Sequence, residues 1–489
     1  TYYEEVNFIC KFSEITPLAI ASSNGHLAVV EYLLELGAGI DDIDKNGRTP
    51  LYTASENGHE KIVECLVECG VEIDLANKNG ETPLYVAAEK GHEKTVKFLV
   101  QYGAEINRAS KYGDTPLHAA SSKGHEKIVE YLMQFGAEIN RADDVGWTPL
   151  RAAYWNGHKN IVQCLMTRGA EINCADKRGE TLLYVASSKG HNEIVECLVK
   201  CRAEVNGTDN YVRTPLYAAA KNGHENVVEC LLECEAEINL ADYKDRTPLH
   251  AASWNGHEKI VECLAKFGAE IDSPDYNGQT PLYAASSNGH KYIVEILLKL
   301  GAQINHADYK NRTPLYVASL NGHQKVVECL VKCGAEIKCA NKPDRTALHA
   351  AAKSGHEKIV EYLVHSGAEL DIGDHLGWTS LHLASKNGHE KVVECLVKFG
   401  AEINRLGFNG WTPLYAAALN GHETIVEYLM SHKADINRAN KSGQTPLYAA
   451  SSSGHLTIVE YLVINGAEIS CGNDFLSTPL YAASSKGHE

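Results

Sequence analysis

The chain has 489 residues, 44% of them hydrophobic and 22% charged, with a net charge of −17. Such a balance can bury a core, but it excludes a general nucleic-acid or membrane-surface binder, which needs an overall basic patch. No apolar run reaches the roughly 18–20 residues of a membrane span, and no signal peptide opens the chain.

Length alone suggests about three domains, yet one unit accounts for almost all of it. A Thr stands at 16, 49, 82, 115, 148, 181, 214, 247, 280, 313, 346, 379, 412, 445 and 478, every interval being 33. A Gly-His pair follows each Thr at a fixed distance, from Gly25-His26 to Gly487-His488. Residues 1–10 read as an N-terminal remnant or the end of a preceding repeat. Residues 11–472 read as fourteen complete repeats without insertion or linker, and 473–489 as a partial fifteenth. The chain opens without Met and stops before a second helix could form, whereas solenoids normally carry polar caps; a fragment of a longer protein is expected.

Each unit reads alike, and the repeat starting at residue 242 serves as an example. Thr247 is a helix N-cap, and Pro248 suits the first helical position, where no N–H is needed. Leu249, Ala251 and Ala252 give a short helix with a thin face, which Asn255-Gly256 stops. A second helix presents Ile260, Val261 and Leu264 on one stripe and Glu258, Lys259 and Glu262 to water, and Gly268 ends it. Asp275-Tyr276-Asn277-Gly278 is a turn. Helices of about ten residues are marginal alone, so each must bury its stripe against the next repeat.

The 33-residue period with T-P-L-H-x-A, as at Thr115–Ala120 and Thr247–Ala252, resembles the ankyrin repeat. The resemblance implies an all-α repeat solenoid of stacked helix-turn-helix units with β-turn or hairpin loops, wound into a curved superhelix. Departures are local. Leu182, Ala347 and Ser380 replace the Pro, while Arg202, Glu235 and Lys433 replace the glycine that ends the second helix. Arg202 and Glu235 lie in successive repeats, the sixth and seventh, where the stack is expected to be softest.

Reactive letters are mostly scaffold. Of 23 histidines, fifteen belong to Gly-His and four, His118, His250, His349 and His382, fill the TPLH position. A residue present in every unit points to a structural hydrogen bond rather than a ligand. Only His306, His365, His375 and His432 are off-register, and no two have metal-ligand spacing. Eleven of fifteen cysteines sit in the second helix, either mid-helix or one turn later, as in the Cys65/Cys69 and Cys329/Cys333 pairs. Elsewhere that slot holds Tyr32, Phe98 or Ile296, so it is an apolar packing slot. The scatter of cysteines favours a reducing, cytoplasmic setting. No metal or cofactor site is expected. G-x-x-x-x-G-K-[ST], G-x-S-x-G and H-E-x-x-H are all absent, so no enzyme is expected in this stretch.

The copies are so alike that their differences carry the information. In the resembled family, ligands contact the turn tips and the end of the first helix along the concave face. Those are the second, third, fifth and thirteenth slots of each unit. All five tryptophans fall there: Trp147, Trp378 and Trp411 in the fifth, Trp155 and Trp254 in the thirteenth. Tyr243, Tyr276 and Tyr309 fill the second slot in consecutive units. Over the seventh to eleventh repeats the same slots hold nine cations, among them Arg213, Arg246, Arg312 and Arg345, and no acid. In a chain of net −17 this is a local inversion, suited to an acidic or phosphorylated segment. The expected function is a non-catalytic protein-interaction scaffold, with these twelve residues contacting a partner from about the fifth to the thirteenth repeat. The alternatives are the cytoplasmic domain of an ion channel or the targeting domain of a larger enzyme. The resemblance also marks Asn107, Asn140, Asn173 and Asn404 as positions open to asparaginyl hydroxylation.

Overall fold

A computed structural model describes residues 15–474 and 476–488; the segment 1–10 lies outside them. Among the described residues are 29 α-helices, a single 3-10 turn at Phe408–Gly410, and no strand. The helices come as fourteen pairs, from Pro17–Ser23 with Leu27–Glu35 to Pro446–Ser453 with Leu456–Ile464, followed by Pro479–Lys486. The chain divides into two compact units. One takes the chain up to Ala186 together with Glu196–Asn210; the other takes Ser187–Val195 together with the chain from Tyr211.

Within each unit the local signals act as the sequence implies. First helices run seven or eight residues and second helices nine, too short to persist without packing. At a first-helix start, Thr49 Oγ1 accepts from the Tyr52 N–H at 3.0 Å with Pro50 at the first helical position. The stripe residues are fully buried: Leu51, Ala54, Ile62, Val63 and Leu66 are each 0–1% exposed. The same positions are buried in most other repeats, the large exceptions being Val29 and Leu480 in the first and last described repeats, at 48 and 71%. Each buried Leu, Ile or Val contributes about 1.5–3 kcal/mol.

Two glycine positions behave differently, for a reason visible only in the packing. The glycine that ends each first helix adopts a left-handed φ, and a Cβ on Gly58 would lie 2.4 Å from Nδ1 of His92 in the next repeat. That glycine is present in every repeat. The glycine after the second helix is also left-handed, but a Cβ there, as at Gly70 or Gly268, meets nothing within 4 Å. Arg202, Glu235 and Lys433 occupy that second position at φ 65, 61 and 68°. Side chains therefore fit, and only backbone strain opposes them, about 1 kcal/mol per residue.

Glu235→Gly and Lys433→Gly should each raise stability by about 1 kcal/mol, whereas Gly58→Ala should lower it by more, because strain and collision with His92 add. Urea denaturation followed by circular dichroism checks both signs; a stabilised Gly58→Ala would contradict this account of the first glycine.

Candidate partner-binding surface

Each turn is organised by its first residue. Asp242 is 3% exposed. Its Oδ1 accepts from the N–H groups of Lys244 at 2.9 Å and Arg246 at 3.0 Å, which closes the turn. Its Oδ2 accepts from Arg246 Nη2 at 2.6 Å. Burial alone raises the Asp242 pKa, but the side-chain and backbone hydrogen bonds from Arg246 outweigh it and hold the carboxyl below its usual range. Asp308 holds Arg312 in the same way, Nη2 to Oδ2 at 2.6 Å. Arg345, whose own turn begins with Asn341, instead reaches Asp374 at 2.9 Å. These three arginines are thus halves of turn-closing pairs, with the acid in a slot outside the four considered above. The charge inversion is correspondingly smaller than the cation count implies. Its outward part is carried by lysines: Lys221, Lys310, Lys342 and Lys353 are exposed.

Successive turns are joined by their backbones. The N–H of Tyr243 donates to the Tyr211 carbonyl, that of Tyr276 to Lys244 and that of Tyr309 to Asn277, at 2.9–3.0 Å. The joined tips place the tyrosines in a row. Tyr211, Tyr243, Tyr276 and Tyr309 are 52, 54, 51 and 71% exposed. The Tyr211 and Tyr243 ring centroids are 5.5 Å apart, and the Arg213 guanidinium lies 5.0 Å from the Tyr211 ring. Lys244 Nζ sits 5.3 Å from the Tyr243 centroid and 5.8 Å from that of Tyr276. Slot spacing marks neither the Tyr211 ring nor the bridging position of Lys244, since it does not show which cation lies between two rings.

The tryptophans divide into two groups. Trp155 and Trp254, in the thirteenth slot, are 47 and 45% exposed. Fifth-slot tryptophans pack inward: Trp378 is 6% exposed, stacks on Trp411 at 5.7 Å, and carries Lys386 Nζ at 4.9 Å from its ring. Trp147 and Trp411 are half-buried, and Trp147 lies 5.1 Å from Trp155. Their position follows a rule not evident within one repeat. His118 Nε2 donates to the Trp147 carbonyl at 2.9 Å, His349 to Trp378 at 3.1 Å and His382 to Trp411 at 3.0 Å. Each fifth-slot tryptophan thus follows a repeat with histidine, not tyrosine, at the fourth position of the T-P-L-H-x-A motif. Where the slot is Tyr, the next fifth slot is polar, as in Tyr415 Oη with Gln444 Oε1 at 3.1 Å.

The repeated histidines are cross-repeat donors. In twelve repeats the Gly-His ring donates from Nε2 to the thirteenth-slot carbonyl of the preceding repeat at 2.9–3.2 Å, as His290 does to Trp254. Asn107 Oδ1 accepts from Glu138 N at 2.8 Å, Asn140 from Glu171, Asn173 from Glu204 and Asn404 from Asp435. Burial pushes the thiols of Cys65, Cys329 and Cys395 up to about 11, the reverse of what a nucleophile needs. Among the described residues no three metal-binding side chains converge, and no helix is long and apolar enough to cross a membrane.

A family model for ankyrin repeats (three copies) matches the chain in ten overlapping stretches, from residues 3–77 to 426–489. The chain belongs to the ankyrin-repeat family. Ankyrin repeats are generally protein–protein interaction modules, and proteins built from them are typically non-catalytic scaffolds. No curated protein matches the chain.

Desolvation lowers the pKa of His250 and His382 from 6.5 to about 4, and lowers those of His118 and His349 as well. The unfolded chain therefore binds protons that the folded chain does not. Stability is complete above the ordinary histidine pKa and drains as pH falls from 6.5 towards 4. His250 Nδ1 is buried without a partner. His250→Tyr would face Gln279 as Tyr415 faces Gln444, and should flatten this decline: its urea midpoint should exceed that of the parent by more at pH 5 than at pH 7.5. An equal difference at both pH values would show that His250 does not contribute to the acid sensitivity.

Proposed function

We propose that the chain is a non-catalytic protein-interaction scaffold. In this reading the turn tips and first-helix ends of the second unit, concave in the wider family, receive an acidic or phosphorylated segment of a partner protein. The observation that carries the reading is the exposed tyrosine row with cations set between its rungs. Tyr243, Tyr276 and Tyr309 keep half or more of their surface exposed beside the contacts they make with neighbouring turns, and aromatics backed by cations are what interfaces concentrate. Tyr243, Tyr276, Tyr309 and Trp254 supply contact area. Lys244, Lys310 and Lys342 supply charge. Arg246, Arg312 and Arg345 hold the turns that present them, Arg213 lies against the Tyr211 ring, and Trp378 with Trp411 forms a packed floor at one end. In the first unit, Trp147 and Trp155 form a separate aromatic pair with the same potential. All fourteen described cysteines are free thiols, which supports a reducing, cytoplasmic setting.

Because Arg246 and Arg312 close their turns, the lysines are the informative positions to change. Lys244→Glu and Lys310→Glu combined with Trp254→Ala should weaken partner binding by about tenfold or more while leaving the helical circular dichroism intact. The partner is to be captured by crosslinking mass spectrometry of the native protein. Crosslinks confined to the second helices, together with unchanged affinity in the triple variant, would sink the reading.

A further inference from the structure

The spacing of the tyrosine row goes further than its charge. This inference rests on the reading just given and names the conformation of the bound segment. One cation, Lys244, contacts the rings on either side of it at 5.3 and 5.8 Å, so the Tyr243 and Tyr276 centroids are at most about 11 Å apart. Packed helices set a repeat spacing of about 8–10 Å. The second-slot rungs Tyr243, Tyr276 and Tyr309 therefore recur at about 8–11 Å, whereas Tyr211, in the third slot and 5.5 Å from Tyr243, flanks the first rung and is not one of them. Tyr309 continues the row: its ring lies against Gly278 of the preceding turn, where an added Cβ would come within 3.0 Å of Cδ1.

Three peptide conformations can be laid against that period. A β-strand returns side chains to one face every two residues, about 6.8 Å, which falls out of step by the second rung. An α-helix rises about 1.5 Å per residue and returns near 10.5 Å at every seventh residue. Its carbonyls, however, are bonded internally, so it offers none to the phenol hydroxyls and the Lys244 ammonium along the row. A polyproline II segment rises about 3.1 Å per residue and repeats every three, about 9.3 Å. It thus returns one side chain to each rung, and its backbone carbonyls are unpaired acceptors. Its φ is already restricted, so little chain entropy is lost on docking, and aromatic-lined rows are how such segments are bound. The two residues between anchors project towards the lysines that flank the rungs.

We infer that the turn tips from Tyr243 to Tyr309 bind a proline-rich, acidic segment in the polyproline II conformation, one proline on each of the three tyrosine rungs and acidic residues between them facing Lys244 and Lys310. About nine residues span three rungs.

The test uses the full chain and fluorescence anisotropy with labelled peptides of equal length and charge. One carries Pro-Glu-Thr triplets. A second holds the same residues reordered so that prolines fall two and four apart. A third is an acidic helix former. The triplet peptide should bind about tenfold tighter than the other two, and Tyr276→Ala should remove that advantage with unchanged circular dichroism. Equal binding of the three peptides, or an advantage that survives Tyr276→Ala, overturns the polyproline assignment while leaving the acidic-segment reading in place. If none of the three binds, both readings fall.

Discussion

The hydrogen bond from the Gly-His ring to a carbonyl of the repeat before it, seen in twelve repeats, is the contact on which the rest of the structure depends. It joins residues 36 apart in sequence, as His92 joins Glu56. It forms because the preceding glycine leaves room for the ring: at Gly58 a single added carbon would collide with His92. A carbonyl near the end of a short helix has no partner within that helix, and here the next repeat supplies one. Each such bond contributes only about 0.5–1.5 kcal/mol net. Its larger effect is geometric, since it sets the distance and register at which Leu, Ile and Val stripes meet. The invariance of Gly and His within the chain, and the freedom of the second-helix glycine to become Arg202, Glu235 or Lys433, both follow from whether a neighbour occupies the space.

The same logic explains why the turn tips carry the variation. Inside most turns an Asp or Asn closes the loop, and in the turns of Arg246 and Arg312 the Asp also fastens the arginine of the fifth slot. Between turns, one backbone hydrogen bond fixes neighbouring tips. Once these demands are met, the second and third slots lie at the exposed tips outside the helical core, and they hold residues as different as Lys78, Asp144 and Tyr309. A scaffold whose rigid parts are satisfied by its neighbours can vary such positions freely. A surface assembled from them is regularly spaced by construction, one position per repeat, which suits a ligand that is itself periodic.

Much of this was legible in one dimension. The interval of 33 and the T-P-L spacing specified the helix pairs, and the caps at Thr247 and Gly256 fell where the residues required. The structural role of the histidines followed from their recurrence. Three features were not legible. Arg246, Arg312 and Arg345 read as a binding stripe because their acids lie in the first slot, four residues earlier or in the next repeat. Trp378 read as an exposed anchor because its burial depends on Trp411 and on His349 in other repeats. Lys244 read only as one of nine cations, because its place between two rings is not visible until the turns are stacked.

The sequence by itself determined the period, the element order, the identity of the core and the slots that are free to vary. It could do so because those properties depend on local propensity and on contacts repeated in every unit, so fifteen copies vote on each. Only the tertiary structure decided which cations are already paired, which aromatics are buried and which side chains line up across turns. Those are contacts between particular residues, some four positions apart within one turn and others about thirty apart in successive repeats, each occurring once or a few times. No recurrence along the chain marks them, and Coulomb attraction and ring stacking act at distances of a few ångströms that only folding creates.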